Sequence, residues 1–137
     1  MKVVADTNVL LRLVVGDDKA QARAAARLLE GAHNVAVGVH TLCELAWVLE
    51  RSYAVARQDI AATIRQLIDT ARVTVDRPAV MAGLAMLEAG GDFADGVIAY
   101  EGRWLGGETF VSFDRKAVRL LAAQGHRSQL LVTRGRP

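Results

Sequence analysis

The chain has 137 residues, of which 52% are hydrophobic, 23% charged and 5% aromatic. This composition excludes a disordered chain and a collagen-like repeat, and the single cysteine, Cys43, excludes an internal disulfide framework. No uncharged apolar stretch reaches the ~18 residues of a membrane helix, and the apolar start of the chain stops at Asp6, too early for an export signal. We therefore expect one soluble, cytoplasmic domain over residues 1–137.

The formal net charge of +2 is unevenly distributed along the chain. Residues 115–137 contain six basic residues and no acid, so the rest of the chain is net negative. Such a segment suits a polyanionic partner, because the guanidinium group is a planar fork of donors that matches phosphate; a solvated basic tail is the alternative. The six residues are Arg115, Lys116, Arg119, Arg127, Arg134 and Arg136.

Short apolar runs alternate with longer segments of helical periodicity. In chain order, the predicted elements are strand 2–5, helices 8–15 and 19–29, strand 35–39, helices 41–53 and 57–71, strand 72–75, helices 78–89 and 92–105, strand 109–113, helix 117–123 and strand 130–133. Strands separated by helices predict an α/β domain around a mostly parallel sheet, because parallel neighbours need crossover connections.

Acidic residues fall where the predicted strands end or the helices begin. Asp6 and Asp114 directly follow two strands, whereas Glu44, Asp92 and Asp95 lie at helix starts. In open parallel sheets, ligands bind beyond the carboxyl ends of the strands. We therefore expect these acids to converge at one edge of the sheet.

Each of these acids also has a structural interpretation. The two that follow strands could cap the next helix. Thr41 and Glu44 have the spacing of a capping box, and Asp92 with Asp95 has the spacing of a cap and an acid at the third helical position.

If the acids do converge, they would repel one another and raise one another's pKa unless a cation balanced them. Oxygen ligands suit Mg²⁺ or Mn²⁺, whereas a lone cysteine and three scattered histidines (His33, His40 and His126) do not predict zinc. Such acid clusters are typical of phosphodiester chemistry, in which one or two ions lower the pKa of a bound water and neutralise charge on the attacking and leaving oxygens.

Four blocks of the sequence resemble PIN-domain ribonucleases, in particular the VapC-like toxins of type II toxin–antitoxin systems. They are VVADTNVL at 3–10, TLCEL at 41–45, DFADGVIA at 92–99 and VSFDR at 111–115. The blocks occur in the family's order and span nearly the whole chain. The resemblance implies a three-layer α/β/α domain with a small, mostly parallel central sheet and the acids in a central groove.

The resemblance also implies roles for individual residues. Asp92 would be either a further metal ligand or the cap of its helix, and the cap is favoured; Gly96 stands where the family more often has alanine. The implied metal-binding, catalytic carboxylates are Asp6, Glu44, Asp95 and Asp114. Residues that could orient a carboxylate or a metal-bound water are Thr7, Asn8 and Ser112. Candidate contacts to RNA phosphates are Arg12, Arg115, Lys116 and Arg119.

The activity implied by the resemblance is Mg²⁺- or Mn²⁺-dependent endonucleolytic hydrolysis of RNA. A metal-activated water would attack phosphorus without a covalent intermediate and leave a 5′-phosphate and a 3′-hydroxyl. The implied partners are the RNA substrate, a second copy of the chain in a homodimer, and a cognate antitoxin whose C-terminal segment fills the groove. The Ala-rich helices around 20–30 and 42–68 offer surface for such contacts.

The residues also leave three alternative functions to consider. A non-catalytic RNA-binding PIN module predicts the loss of one or more core acids, and all four are present. A phospho-receiver domain agrees with Asp76 at the end of a middle strand, but it needs a lysine after the last strand, where none follows Thr133. A haloacid-dehalogenase-like phosphatase needs an aspartate at position 8, which is Asn8.

Overall fold

The computed structural model of the chain describes residues 1–133. Arg134 and Arg136 of the basic segment lie outside the described residues. The chain divides into two compact units, Met1–Val80 and Met81–Pro137. None of the helices within residues 1–133 is long and apolar enough to cross a membrane.

The first unit is built on three short parallel strands in the order β1-β2-β3. Val3 pairs with Val35, and Val35 pairs in turn with Val73, so the central strand β2 is hydrogen-bonded on both sides. Helices connect the strands, as parallel pairing requires. The elements are β1 (Lys2–Val4), α1 (Thr7–Val15), α2 (Lys19–Gly31), β2 (Asn34–Ala36), α3 (Val39–Tyr53), α4 (Arg57–Ile68), β3 (Val73–Thr74) and the start of α5 (Arg77–Glu88).

The helices of the first unit form because apolar residues recur every three or four positions and meet in one core. On α3, Leu42, Leu45 and Leu49 are completely buried, and on α4 Ile60 and Ile64 are as well. Helix α1 packs against both α2 and α3, and α3 packs against α4. This packing fixes α1 and α3, the two helices whose first turns follow the carboxyl ends of β1 and β2.

The second unit contains the rest of α5 and a parallel pair of strands, β4 and β5. Its core is formed by Met86, Ala117 and Leu121, with Ala99 and Phe110 packed against them. The further elements are α6 (Phe93–Trp104), β4 (Thr109–Ser112), α7 (Arg115–Ala123) and β5 (Arg127–Leu130).

The predicted alternation of helices and parallel strands is confirmed, but the last strand was placed wrongly. The sequence predicts it at 130–133, whereas β5 covers Arg127–Leu130. Its register pairs Thr109 with Arg127 and Ser112 with Leu130. The polar residues of β5 form a strand because their backbone groups bond to β4, which a search for apolar runs does not detect.

Candidate active site

Asp6 lies at the carboxyl end of β1 and caps α1. The Ala5 amide still bonds to the Ala36 carbonyl at 3.0 Å, so the chain leaves the sheet directly before Asp6. The Asp6 carboxylate accepts a hydrogen bond from the Thr7 amide at 2.7 Å, which confirms the capping interpretation. This bond uses one carboxylate oxygen and leaves lone pairs for a cation. Thr7 is buried and Asn8 exposed.

Glu44 lies in the second turn of α3, and the capping-box interpretation of Thr41 and Glu44 is wrong. The helix begins earlier than predicted, at Val39, with Gly38 as its N-cap and no side-chain capping bond. Glu44 is therefore too far along the helix to satisfy its first amides. Its side chain is exposed, beside the buried Leu45. Because β1 and β2 are parallel neighbours, Asp6 and the start of α3 follow the same edge of the first sheet.

Asp92 and Asp95 lie at the start of α6, Asp92 just before the helix and Asp95 in its first turn. Asp92 occupies the N-cap position, as the cap interpretation requires, but its side chain makes no capping hydrogen bond. The Asp95 amide instead donates to the Asp92 backbone carbonyl at 3.1 Å. The position of the cap is therefore confirmed, whereas its side-chain bond is not found.

Asp114 connects β4 to α7 and is held by two hydrogen bonds. Its carboxylate accepts from the Ala117 amide at 3.1 Å and so caps α7. Its own amide donates to the Ser112 hydroxyl at 3.0 Å. Ser112 thus satisfies a backbone group and at the same time fixes the residue that carries the carboxylate.

Three of the predicted acids interact within the second unit. Burial raises the pKa of the Asp95 carboxyl, and the negative charges of Asp92 and Asp114 raise that pKa further. This is the mutual repulsion expected of carboxylates that share a small region. A hard divalent cation would relieve it, so the chemistry of these donors fits such an ion.

The acids do not form a preassembled metal cage in the described part of the chain. Across residues 1–133, no three His, Cys, Asp or Glu side chains are gathered closely enough to hold a metal ion. Asp92, Asp95 and Asp114 are brought within electrostatic range in the second unit, whereas Asp6 and Glu44 belong to the first.

Gly96 gives the helix that carries Asp95 its close contact with α5. A Cβ on Gly96 would collide with the Ala82 carbonyl oxygen of α5 and come within 2.9 Å of the Met86 Cβ. In the reverse direction, a Cβ on Gly83 of α5 would lie 2.6 Å from the Phe93 ring. Sequence reasoning missed this packing role, and the only indication was a glycine where the family more often has alanine.

The candidate RNA-binding residues fall into two groups. Arg12 pairs with Asp17 at 2.6 Å and donates through Nε to Gln21 at 2.7 Å, while the Tyr53 hydroxyl donates to the same Asp17 at 2.9 Å. This network favours a structural role for Arg12. The other group is exposed and, with Val118 and Leu130, lines an open groove on α7 of about 480 Å³; its members are Arg115, Lys116 and Arg119.

The family model of the PIN domain matches residues 3–122, a stretch that includes all five candidate acids. No curated protein matches the chain in sequence. The match confirms the predicted fold class, the three-layer α/β/α fold with parallel strands, and contradicts the phospho-receiver alternative. PIN domains are typically nucleases, bind nucleic acid and generally use divalent metal ions. The chain belongs to the PIN domain family.

Proposed function

We propose that this chain is a single PIN domain that acts as a metal-dependent endoribonuclease of the VapC-like type. The observation that carries the proposal is the placement of the half-buried Asp95 within electrostatic range of Asp92 and Asp114 in a chain of the PIN family, since crowded carboxylates are typical of sites that bind a cation. The acids on which activity would depend are Asp6, Glu44, Asp95 and Asp114. One or two Mg²⁺ or Mn²⁺ ions, when bound, supply positive charge at the reacting phosphate and a hydroxide-like nucleophile at neutral pH.

The residues of the chain would hold these carboxylates ready for the ion. The Thr7 amide fixes one oxygen of Asp6, and the Ala117 amide and the Ser112 hydroxyl fix Asp114 from two sides. A carboxylate that is already oriented loses little conformational entropy when it binds a cation. Asn8, exposed beside Asp6, has an amide that could orient a bound water.

The substrate would approach along the basic surface that follows Asp114. Arg115, Lys116 and Arg119 are exposed around one open groove, and Arg115 is the immediate neighbour of a proposed metal ligand. Cations at these positions would contact the phosphates of a single-stranded or loop RNA and position the scissile bond without reading its sequence.

The toxin role, the homodimer and the antitoxin belong to the same proposal. They are supported by apolar surface on the helices expected to contact partners: Trp47 of α3 is 60% exposed, with Arg51 5.6 Å from its ring centroid. Induced expression should arrest bacterial growth, and coexpression of a short neighbouring reading frame should relieve the arrest. Size-exclusion chromatography with light scattering gives the oligomeric state. Growth unaffected by an active enzyme would favour housekeeping RNA processing over a toxin.

The direct test is cleavage of end-labelled, unstructured RNA by the purified chain. We expect cleavage with Mg²⁺ or Mn²⁺, no cleavage with EDTA, and products that carry 5′-phosphates and 3′-hydroxyls. Asp6→Asn, Glu44→Gln, Asp95→Asn and Asp114→Asn should each abolish cleavage while circular dichroism shows a folded chain. Glu30→Gln, which removes one negative charge from the exposed end of α2, is the matched control.

Two results would contradict the proposal. Cleavage by the purified chain that persists in EDTA and in all four variants would show that it needs neither a metal ion nor these acids. RNA that is bound but never cut, with either metal, would identify a non-catalytic RNA-binding module. Asp92→Asn separates the two interpretations of that residue: a helix cap leaves most of the cleavage, whereas a metal ligand does not.

A further inference from the structure

A cavity of about 220 Å³ lies at the amino-terminal edge of the β4–β5 pair, entirely within the second unit. Its walls come from the second half of α6, from the turn before β4 and from the first residues of the two parallel strands. Asp114 follows the opposite, carboxyl end of β4. The first and last residues of β4 are about 10 Å apart at the usual rise of a strand. Most of the lining lies towards the end of β4 away from Asp114, while Ile98 follows Asp95 by one helical turn and Val111 precedes Asp114 by three residues.

The lining of the cavity combines apolar residues with two arginines. The apolar part is formed by Ile98, Phe110 and Val111, and the cations are Arg103 and Arg127. Pockets of this kind, mostly apolar with a few charged groups, are typical of small-ligand sites.

The guanidinium of Arg127 is held only loosely. Its nearest carboxylate, on Glu108, is 3.8 Å away, and the two side chains are 78% and 80% exposed. An ion pair this long and this exposed contributes little free energy. An incoming anion can therefore replace Glu108 at low cost and use Arg127 in the bidentate geometry that phosphate favours.

His126 adds an unsatisfied polar atom to the same wall. Its Nδ1 is shielded from solvent and makes no hydrogen bond within the described residues. Burial lowers the pKa of His126, and the nearby charge of Arg103 lowers it further. A buried ring nitrogen without a partner is costly. A ligand hydroxyl or amine would supply that partner once the ring turns towards the cavity.

We propose that this cavity is a binding site for a nucleoside monophosphate. The base and sugar would lie against Ile98, Phe110 and Val111, and the phosphate would bind Arg103 and Arg127. A hydroxyl or amine of the ligand would bond to His126. The mixture of apolar and arginine walls matches the base and the phosphate of a single nucleotide. The proposal does not depend on whether the chain cleaves RNA.

The test is isothermal titration calorimetry of the full chain with AMP, GMP, CMP and UMP in turn, in EDTA so that the proposed metal site is not loaded. At least one nucleotide should bind, and both the matching nucleoside and inorganic phosphate should bind at least tenfold more weakly. Arg103→Gln and Arg127→Gln should each weaken binding about tenfold. Arg23→Gln, which removes an exposed arginine from α2 in the first unit, should leave binding unchanged.

A steric variant gives an independent measurement. A Cβ at Gly102, in the wall of the cavity, meets nothing within 4 Å, so Gly102→Val should fill free space and reduce binding without unfolding the chain. Chemical shifts of the His126 ring should move on titration of the wild type and stay fixed in this variant.

The proposal is overturned if none of the four nucleotides binds at millimolar concentration. Equal binding of nucleoside and nucleotide, or binding unchanged in both arginine variants, would overturn it as well. Binding of an oligoribonucleotide that depends on Arg103, where no mononucleotide binds, would assign the surface to RNA instead.

Discussion

The backbone amide of Asp114 donates a hydrogen bond to the side-chain hydroxyl of Ser112, with 3.0 Å between the nitrogen and Oγ. This bond holds the backbone of Asp114, a proposed metal ligand. Ser112→Ala should therefore make the position of the Asp114 carboxylate less well defined. We expect a reduction of about 10- to 100-fold in cleavage or in apparent affinity for Mg²⁺. Cleavage rates measured over a range of Mg²⁺ concentrations would test this.

Ser128 on the paired strand provides the matched control for Ser112. Its hydroxyl donates to the Val118 carbonyl at 2.8 Å, so Ser128→Ala also removes one serine hydrogen bond from the second unit; this bond is partly buried, whereas that of Ser112 is exposed. Both variants should lose about 1 kcal/mol of unfolding free energy. Only Ser112→Ala should change the dependence on Mg²⁺; equal kinetic effects would show that Ser112 acts through general stability.

Replacing Asp95 should stabilise the metal-free protein while it abolishes cleavage. Because burial and two neighbouring carboxylates raise the pKa of Asp95 in the folded state, the folded chain binds more protons than the unfolded chain just above the ordinary pKa. Stability is therefore lost as pH rises through that window and stays lost at pH 7. Asp95→Asn removes the repulsion, so its melting temperature in EDTA should exceed that of the wild type.

Added Mg²⁺ distinguishes this explanation from a general effect of charge. The wild type should gain more melting temperature from Mg²⁺ than Asp95→Asn does, because only the wild type retains the full ligand set. Glu30→Gln, which removes the same charge from the first unit, should respond to Mg²⁺ like the wild type. A metal-free Asp95→Asn variant that melts below the wild type would contradict the repulsion.

Two glycines of α6 should respond to the same substitution with opposite signs. Gly96→Ala places a methyl group against the Ala82 carbonyl, which should cost about 1–3 kcal/mol of stability and displace Asp95 from its neighbours. At Gly102 a Cβ meets nothing within 4 Å, so Gly102→Ala should gain about 0.5–1 kcal/mol from helix propensity. Denaturant unfolding and cleavage assays of both variants measure the two effects. A Gly96→Ala variant as stable and as active as the wild type would show that α5 and α6 can move apart without cost.

Local rules predicted the positions of the acids well. Asp6 and Asp114 follow strands whose apolar runs are evident in the sequence, and each caps the next helix as its residue type favours. The wrong prediction of a capping box at Thr41 and Glu44 also has a local cause. Val39 extends the apolar run of β2, so the pattern assigned it to a strand, although it is the first residue of α3.

Contacts between distant residues could not be predicted in this way. The hydroxyl of Tyr53 bonds to Asp17, which is 36 positions away in the sequence. Gly96 lies close to backbone atoms of α5, and the hydrophobic periodicity of the sequence does not predict this contact. The polar strand β5 is likewise defined by its partner β4. A single sequence reports which residues suit an element, whereas these features depend on which elements meet.

The two groups of candidate RNA-binding cations should differ in their salt dependence. Arg119 is exposed on α7, so Arg119→Gln should reduce the slope of log affinity for single-stranded RNA against log salt by about 0.7. Arg12 is engaged with Asp17 and Gln21, so Arg12→Gln should leave that slope unchanged. Filter binding in the Asp95→Asn background measures both slopes without cleavage. An equal change in both variants would place Arg12 against the RNA.

The loss of stability caused by Arg12→Gln, relative to the wild type, should depend on pH. Hydrogen bonds from Arg12 and then from Tyr53 lower the pKa of Asp17, so its carboxylate stabilises the fold above the ordinary aspartate pKa of about 4 and loses that contribution as pH falls through the lowered value. Wild type should therefore exceed Arg12→Gln and Tyr53→Phe in melting temperature at pH 7, and the differences should shrink towards pH 3. Differences that persist at pH 3 would show that the contacts of these side chains stabilise the fold without the charge of Asp17.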